Sequence, residues 1–268
     1  MKINYVYIAR LEEGLWIFMI FDKRILYGII AVMIISGAYR YLSNTASLIA
    51  LLLTIPGVLI AITFHEFAHA FAADKLGDDT PRMQGRLSLN PFDHLDPIGS
   101  IMLLFAGFGW GKPVEVNSRN FNRDISVDKA NAIVSIAGPL MNFILAIIFA
   151  FINGALYKFC NAQISSSQVL QIITSIIGYT VIINVGLGVF NLIPLPPLDG
   201  SNVIKPFLPY NAKVWFENKE EIFYIVFVVL WITDLAGTII SPIIRVVYNS
   251  IMSLVGVLFW FLLFKEII

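Results

Sequence analysis

Long apolar runs separated by short polar stretches dominate the chain. Six of them, Ile25 to Tyr39, Ala46 to Ala73, Lys129 to Tyr157, Val169 to Ile193, Ile222 to Ile240 and Ile243 to Phe264, stand out. A helix of about 20 residues crosses the roughly 30 Å of bilayer hydrocarbon, so the six are predicted as transmembrane helices, the first being the shortest. Residues 1–24 have another pattern. Their apolar stretch from Leu15 to Phe21 is too short to span, has charges on both sides and lacks a small-residue cleavage site, which predicts an interfacial segment and not a signal peptide.

Between spans two and three the period changes. "GRLSLN" (residues 85–90) and "KPVEVN" (residues 112–117) alternate apolar and polar positions, as short strands do. The intervening "PIGSIMLLFAGFGWG" is apolar but too short to cross, so it is predicted as a re-entrant excursion. The expected fold is an all-α polytopic membrane protein of about six transmembrane helices, forming one integral-membrane domain over residues 1–268. A small re-entrant and β-strand element is expected within residues 74–128. It either pairs with an unwound substrate or only shields the site, and the residues do not choose between these.

Composition agrees with the pattern. Hydrophobic residues make up 58% and charged residues 13%, where a soluble domain carries about a quarter charged. The mean hydropathy is +0.80. A formal net charge of zero gives no reason to expect a nucleic-acid partner. A single cysteine, Cys160, excludes an intramolecular disulfide and a cysteine-rich metal site. Basic residues are distributed unevenly between the two sides. Lys2, Arg10, Lys23, Arg24, the loop from Lys75 to Lys129, Lys205, Lys213, Lys219 and Lys265 share one side, against Arg40, Lys158 and Arg245 on the other. The positive-inside rule therefore predicts a multi-pass protein of the cell membrane with both termini cytoplasmic.

The chemistry starts at "AITFHEFAHAFAAD", residues 61–74, which holds two of the three histidines. Residues four apart share a helix face, so His65 and His69 can offer ring nitrogens to one ion, with Glu66 beside them to handle water. The bland alternative, two histidines bonded to neighbouring helices, leaves the glutamate unexplained. A catalytic zinc needs a third protein ligand and an open position for water. Asp74 lies about 140° from His69 around the helix and about 180° from His65, so it points away. Glu115, Glu217, Glu220 and Glu221 fall in solvated loops, and Asp234 carries no accompanying motif. Asp199 is the better candidate. Its span ends on the same side as the histidines, about two turns or 10 Å below the surface, and Pro194, Pro196 and Pro197 force its backbone out of helix.

With "GRLSLNPFDHLDPIG", "GFGWGKPVEVN" and "AGPLMN" lying in order between "HEFAH" and "NLIPLPPLDG", the stretch from about Leu51 to Ser201 resembles the site-2 protease family of intramembrane zinc metalloproteases, in a short six-span form. The resemblance implies one zinc ion held by His65, His69 and Asp199, with Glu66 as general base, in an endopeptidase for single-span membrane substrates as in regulated intramembrane proteolysis. It also implies that Asn142 faces the active site and stabilises an oxyanion, although an interhelical hydrogen bond would suit the same amide. Pro139 is expected to kink span three. The family's "LDGG" reads "LDGS" here, with Ser201 replacing a glycine.

The loop after span four, about twenty residues long, has no room for a PDZ or nucleotide-sensing (CBS) module, so selectivity falls to the membrane core, the 74–128 loop or a separate adaptor or regulator. Two other functions compete with this one. A transporter or channel accounts for Asp234, Asn184 and the broken helix at Pro194 but not for the His-Glu-x-x-His spacing. A zinc-binding, non-catalytic relative would not need Glu66. His94, in "NPFDHLDPIG", is expected in a solvated turn by its Asp and Pro neighbours, or else as a gate that approaches the metal when substrate is absent.

Overall fold

A computed structural model describes residues 23–106, 111–233 and 235–264. The interfacial segment expected over residues 1–24 and the polar Asp234 fall almost wholly outside them. Ten α-helices follow in order among the described residues: α1 (Lys23–Leu42), α2 (Thr45–Lys75), α3 (Thr80–Met83), α4 (Pro97–Ala106), α5 (Val127–Ser166), α6 (Gln168–Asn191), α7 (Asp199–Ile204), α8 (Tyr210–Asn218), α9 (Glu220–Ile232) and α10 (Leu235–Phe264). Four of them, α2, α5, α6 and α10, are long and apolar enough to cross a membrane. α1 and α9 stand where the first and fifth spans were expected, and the 13 residues of α9 rise about 20 Å.

Local chemistry sets the helix ends. Asn44 caps α2, its side-chain oxygen accepting from the backbone N–H of Ala46 at 2.9 Å and Ser47 at 3.3 Å, which satisfies donors that the first turn cannot pair internally. At the other end Gly77 turns the chain with φ +103, a conformation cheap only for glycine. The structure differs from expectation at three other places. The fifth and sixth spans are divided between Ile232 and Leu235, not at Ser241 and Pro242, which lie inside α10; a proline removes one ladder bond, which a long apolar helix survives. Helix α5 stays helical through Pro139, and its one non-helical residue is Cys160 (φ −122, ψ 19).

The third difference concerns the loop between α2 and α5. Among the described residues there is no strand, only an isolated antiparallel bridge between Leu95 and Gly111. The apolar excursion is helical where described, as α4, and packs on α1. The alternation in "KPVEVN" reflects a backbone bound by side chains instead of a neighbouring strand: the N–H of Val114 donates to Glu66 and that of Asn117 to Asp78.

Helices α2, α5 and α6 form the centre of the molecule. In lipid the packing of small residues, not hydrophobic burial, draws helices together. Ala146 and Ala150 of α5 meet Val181 and Val185 of α6 and Ile240 and Ile251 of α10 in one buried cluster. Gly57 lets α2 touch α6, since a Cβ there would stand 2.9 Å from the Cα of Thr180. A smaller cluster of Ala73, Phe121, Ala130 and Val134 pins the loop before α5 to the end of α2.

Candidate active site

His65 and His69 lie one turn apart on α2, both buried, with ring centroids 4.6 Å apart. Asp199 opens α7, which packs on α5. The chain reaches it by folding back over the end of α6. Gly200 permits this return, because a Cβ there would lie 2.3 Å from the carbonyl oxygen of Leu192. Ser201, the departure from "LDGG", sits within the first turn of α7, where a side chain is accommodated and buried.

The imidazole orientations follow from their second nitrogens. His69 Nδ1 lies 2.7 Å from the carbonyl oxygen of Val134. A carbonyl only accepts, so Nδ1 donates to it, and in the neutral ring Nε2 carries a lone pair. Asn142 is fully buried, and its Nδ2 lies 3.0 Å from the Ala61 carbonyl and 3.0 Å from Asn184 Oδ1. That fixes the amide so that Oδ1 faces His65 Nδ1, at 2.6 Å, and His65 also carries its proton on Nδ1. Asn184 is held in turn by its Nδ2, which donates to the Thr180 carbonyl at 2.8 Å.

With both rings neutral, the two Nε2 lone pairs face inward, 3.0 Å apart, with Asp199 Oδ2 at 3.1 Å from one and 3.3 Å from the other. Oδ2 is buried and has no hydrogen-bond partner. Three acceptors pointing at each other with no proton between them repel, and a cation coordinated by all three removes the conflict. Two imidazoles and a carboxylate are a donor set that zinc accepts, with a fourth position left for water. The residues present thus fit a zinc ion.

Glu66 adjoins this cluster on α2. Its Oε2 accepts from the N–H of Val114 at 3.2 Å, and a Cβ on Gly111 would lie 3.3 Å from Oε1. Asp74 forms a two-bond ion pair with Arg82, at 2.8 and 2.7 Å, away from the cluster. Glu115 accepts from Gln84 at 2.6 Å.

Asn142 faces the site and makes the interhelical hydrogen bonds named as the alternative to an oxyanion role, whereas His94 departs from its expected setting. Both N–H bonds of the Asn142 amide are taken, so as placed it has none to offer an oxyanion and instead orients His65. His94 is fully buried, not in a solvated turn: the short 3-10 helix Pro91–Asp93 and the Leu95–Gly111 bridge enclose it. Its Nε2 donates to the Ser88 carbonyl at 2.7 Å, and it is not part of the donor cluster.

Gly138 is a site residue that the sequence reading took only as part of a kink. A Cβ there would lie 2.5 Å from His69 Nε2 and 2.7 Å from His65 Cε1. Its missing side chain is the space that the imidazoles occupy. Asn184 likewise reads as an isolated polar residue until α5 and α6 are docked.

Comparison with known proteins points the same way. A family model described as Peptidase family M50 matches residues 154–233. The chain is 39% identical over 203 residues, 75% of its length and 90% of the relative's, to YwhC of Bacillus subtilis (strain 168), which is named for zinc metalloprotease activity. Rip2 of Mycolicibacterium smegmatis (strain ATCC 700084 / mc(2)155), named in the same way, is 31% identical over 67% of this chain and 66% of its own. Rip2 of Mycobacterium tuberculosis (strain ATCC 25618 / H37Rv) is 27% identical over 80% of this chain and 87% of its own. No solved structure matches the chain.

Proposed function

The chain belongs to peptidase family M50, the site-2 protease family of zinc metalloproteases, and from that premise we propose that it hydrolyses peptide bonds of membrane-spanning substrates near the cytoplasmic side of the bilayer. The observation that carries the reading is Glu66 standing beside three converging donor atoms, two on the apolar, membrane-length α2 and the third at the start of α7. His65, His69 and Asp199 would hold the zinc, which when bound would supply Lewis-acid chemistry and lower the pKa of water towards about 7.

The chain's own residues carry the proton. Glu66 takes one from the attacking water, whose oxygen bonds to the scissile carbonyl carbon. When the C–N bond breaks, Glu66 returns that proton to the leaving amine, so carboxylate and charge are restored. Asn142 holds His65 through Nδ1 and keeps its Nε2 free for the metal. Asn184, through Asn142, holds the same tautomer.

The orientation that places both termini in the cytoplasm puts His65, ten residues from the end of α2, about 15 Å below that surface. Water reaches the site from there. A substrate helix must unwind locally, because its carbonyls are otherwise engaged in its own ladder. Six crossings require α1 and α9 to join the four long apolar helices. Single-span membrane proteins are the substrates this design suits, with the bilayer as its setting and a separate adaptor or regulator free to select them.

The deciding experiment assays purified protein on a panel of single-span substrates beside Glu66→Gln. Cleavage should fall by about three orders of magnitude or more in the variant while bound zinc is unchanged. Equal turnover in the two proteins would remove the peptidase mechanism.

A further inference from the structure

Arg86 has no part in the chemistry described so far, yet only 4% of its surface is exposed. Its guanidinium donates to three backbone carbonyls, those of Asp93, Lys112 and Pro113, the last at 2.6 Å. Asp93 precedes the excursion that contains α4, and Lys112 and Pro113 follow it. One side chain therefore ties the two ends of that excursion together. The neck is closed a second time where the N–H of Lys112 donates to the His94 carbonyl at 2.7 Å, next to the Leu95–Gly111 bridge.

The clamped neck rests on the general base. Val114, next to Pro113, donates its N–H to Glu66 Oε2, and Gly111, next to Lys112, passes so close that a Cβ would stand 3.0 Å from the His94 carbonyl and 3.3 Å from Glu66 Oε1. A planar fork of N–H donors can bridge carbonyls on two chain segments at once, whereas an ammonium group on a flexible stem cannot hold them in one plane. Burying a cation is costly, and the cost here goes into backbone oxygens beside the site. Burial also pulls the guanidinium below its ordinary range, while Glu66, Asp93 and Glu115 pull it back up.

We propose that Arg86 is a positioning residue for Glu66: by clamping Asp93 to Lys112 and Pro113 it holds the Val114 N–H on Oε2, which leaves Oε1 to take the proton. This rests on the peptidase reading. In this arrangement Arg86 touches neither substrate nor metal, and the neck is what it fixes; its charge on Glu66 is kept in Arg86→Lys. Losing it should leave metal and bundle in place, free the segment 111–117 and slow the chemical step without weakening substrate binding.

The test uses full-length protein in detergent micelles, as parent, Arg86→Gln and Arg86→Lys. Three quantities are read: zinc content, deuterium uptake by peptides covering 111–117 and α2, and kcat and KM on a single-span substrate that the parent cleaves. In Arg86→Gln, zinc should match the parent and the amides of 111–117 should exchange about tenfold faster or more while α2 does not change. The kcat should drop about tenfold or more with KM within about threefold. Lysine should not rescue it, and if the Gln variant fails to fold, Arg86→Lys carries the same readouts. Parent-level exchange and kcat in the variants would overturn the proposal. So would zinc, α2 protection and kcat falling together, since that marks a purely structural role. A parent that cleaves nothing refutes the peptidase reading instead, and unaltered exchange in the variants refutes the clamp whether or not the parent cleaves.

Discussion

The donor cluster and the segment lying over Glu66 are neighbours, but they are fixed by different means. Each group that aims a donor atom of the cluster is carried by a helix: Val134 and Asn142 on α5, Asn184 on α6, and Asp199 as the first residue of α7. The segment over Glu66 is irregular chain, and polar side chains binding its backbone hold it, Arg86 from one side and Asp78 from the other. Asp78 is fully buried and accepts from Thr80, from the N–H of Asn117 at 2.6 Å and from Asn120 Nδ2 at 2.9 Å. Metal ligands need fixed distances, which helix packing gives. A surface that has to admit a polypeptide must open at lower cost, and irregular chain opens locally.

The sharpest way to break the contrast is at Gly138. Gly138→Ala drives a methyl group into both imidazoles, so zinc and cleavage should be lost together, the latter by about a thousandfold or more, while the loop over Glu66 keeps its exchange protection. Metal analysis and hydrogen exchange on one sample check this. Normal zinc in that variant would show that the cluster yields far more easily than helix packing implies.

Asp199→Ala should come next, leaving two ligands, a zinc affinity lower by about a hundredfold or more, and correspondingly weak cleavage. Titration against a chelator of known affinity measures it. Asn142→Ala and Asn184→Ala should cost a factor of about 10 to 100 in the same titration, the former more than the latter because it alone touches His65. An Asn184→Ala protein with parental zinc affinity would cut the amide chain out of the cluster.

On the loop side the effects should be smaller and of another kind. Asp78→Ala strands several donors, so the segment around Asn117 should exchange faster and cleavage should fall about tenfold with zinc content unchanged. Asp74→Ala should be the smallest change of all, with zinc and cleavage at parental levels, because its exposed partner Arg82 lies away from the cluster.

What the sequence revealed and what it hid divide along the same line. His65, Glu66 and His69 were legible because helical periodicity brings residues four apart together with no knowledge of the rest of the fold. Asp199 could be found because prolines mark where its helix must stop. Gly138 could not, since its contribution is an absent side chain, meaningful only once α2 is seen against it. Arg86 left no signal because its partners are backbone carbonyls, which every segment offers. "KPVEVN" misled for a related reason: alternation marks an extended chain, and side chains can satisfy such a chain as well as a strand can. At the chain's far end, Ser241 and Pro242 looked like the break between two spans, but a helix in hydrocarbon can keep a proline, and both residues lie inside α10.

The wide separation in sequence between the donors has a consequence for how the protein comes into being. His65 and His69 leave the ribosome about 130 residues ahead of Asp199, a delay of roughly 7 to 26 seconds at typical synthesis rates of about 5–20 residues per second. Until α6 is inserted and the chain has turned back at Gly200, a nascent polypeptide owns a base and two imidazoles but no complete site. Hydrolysis therefore cannot begin while the earlier helices are still entering the bilayer as separate, exposed segments. Nascent chains arrested before Leu198 should hold zinc weakly and cleave nothing, whereas chains released with α10 complete should hold zinc tightly and cleave.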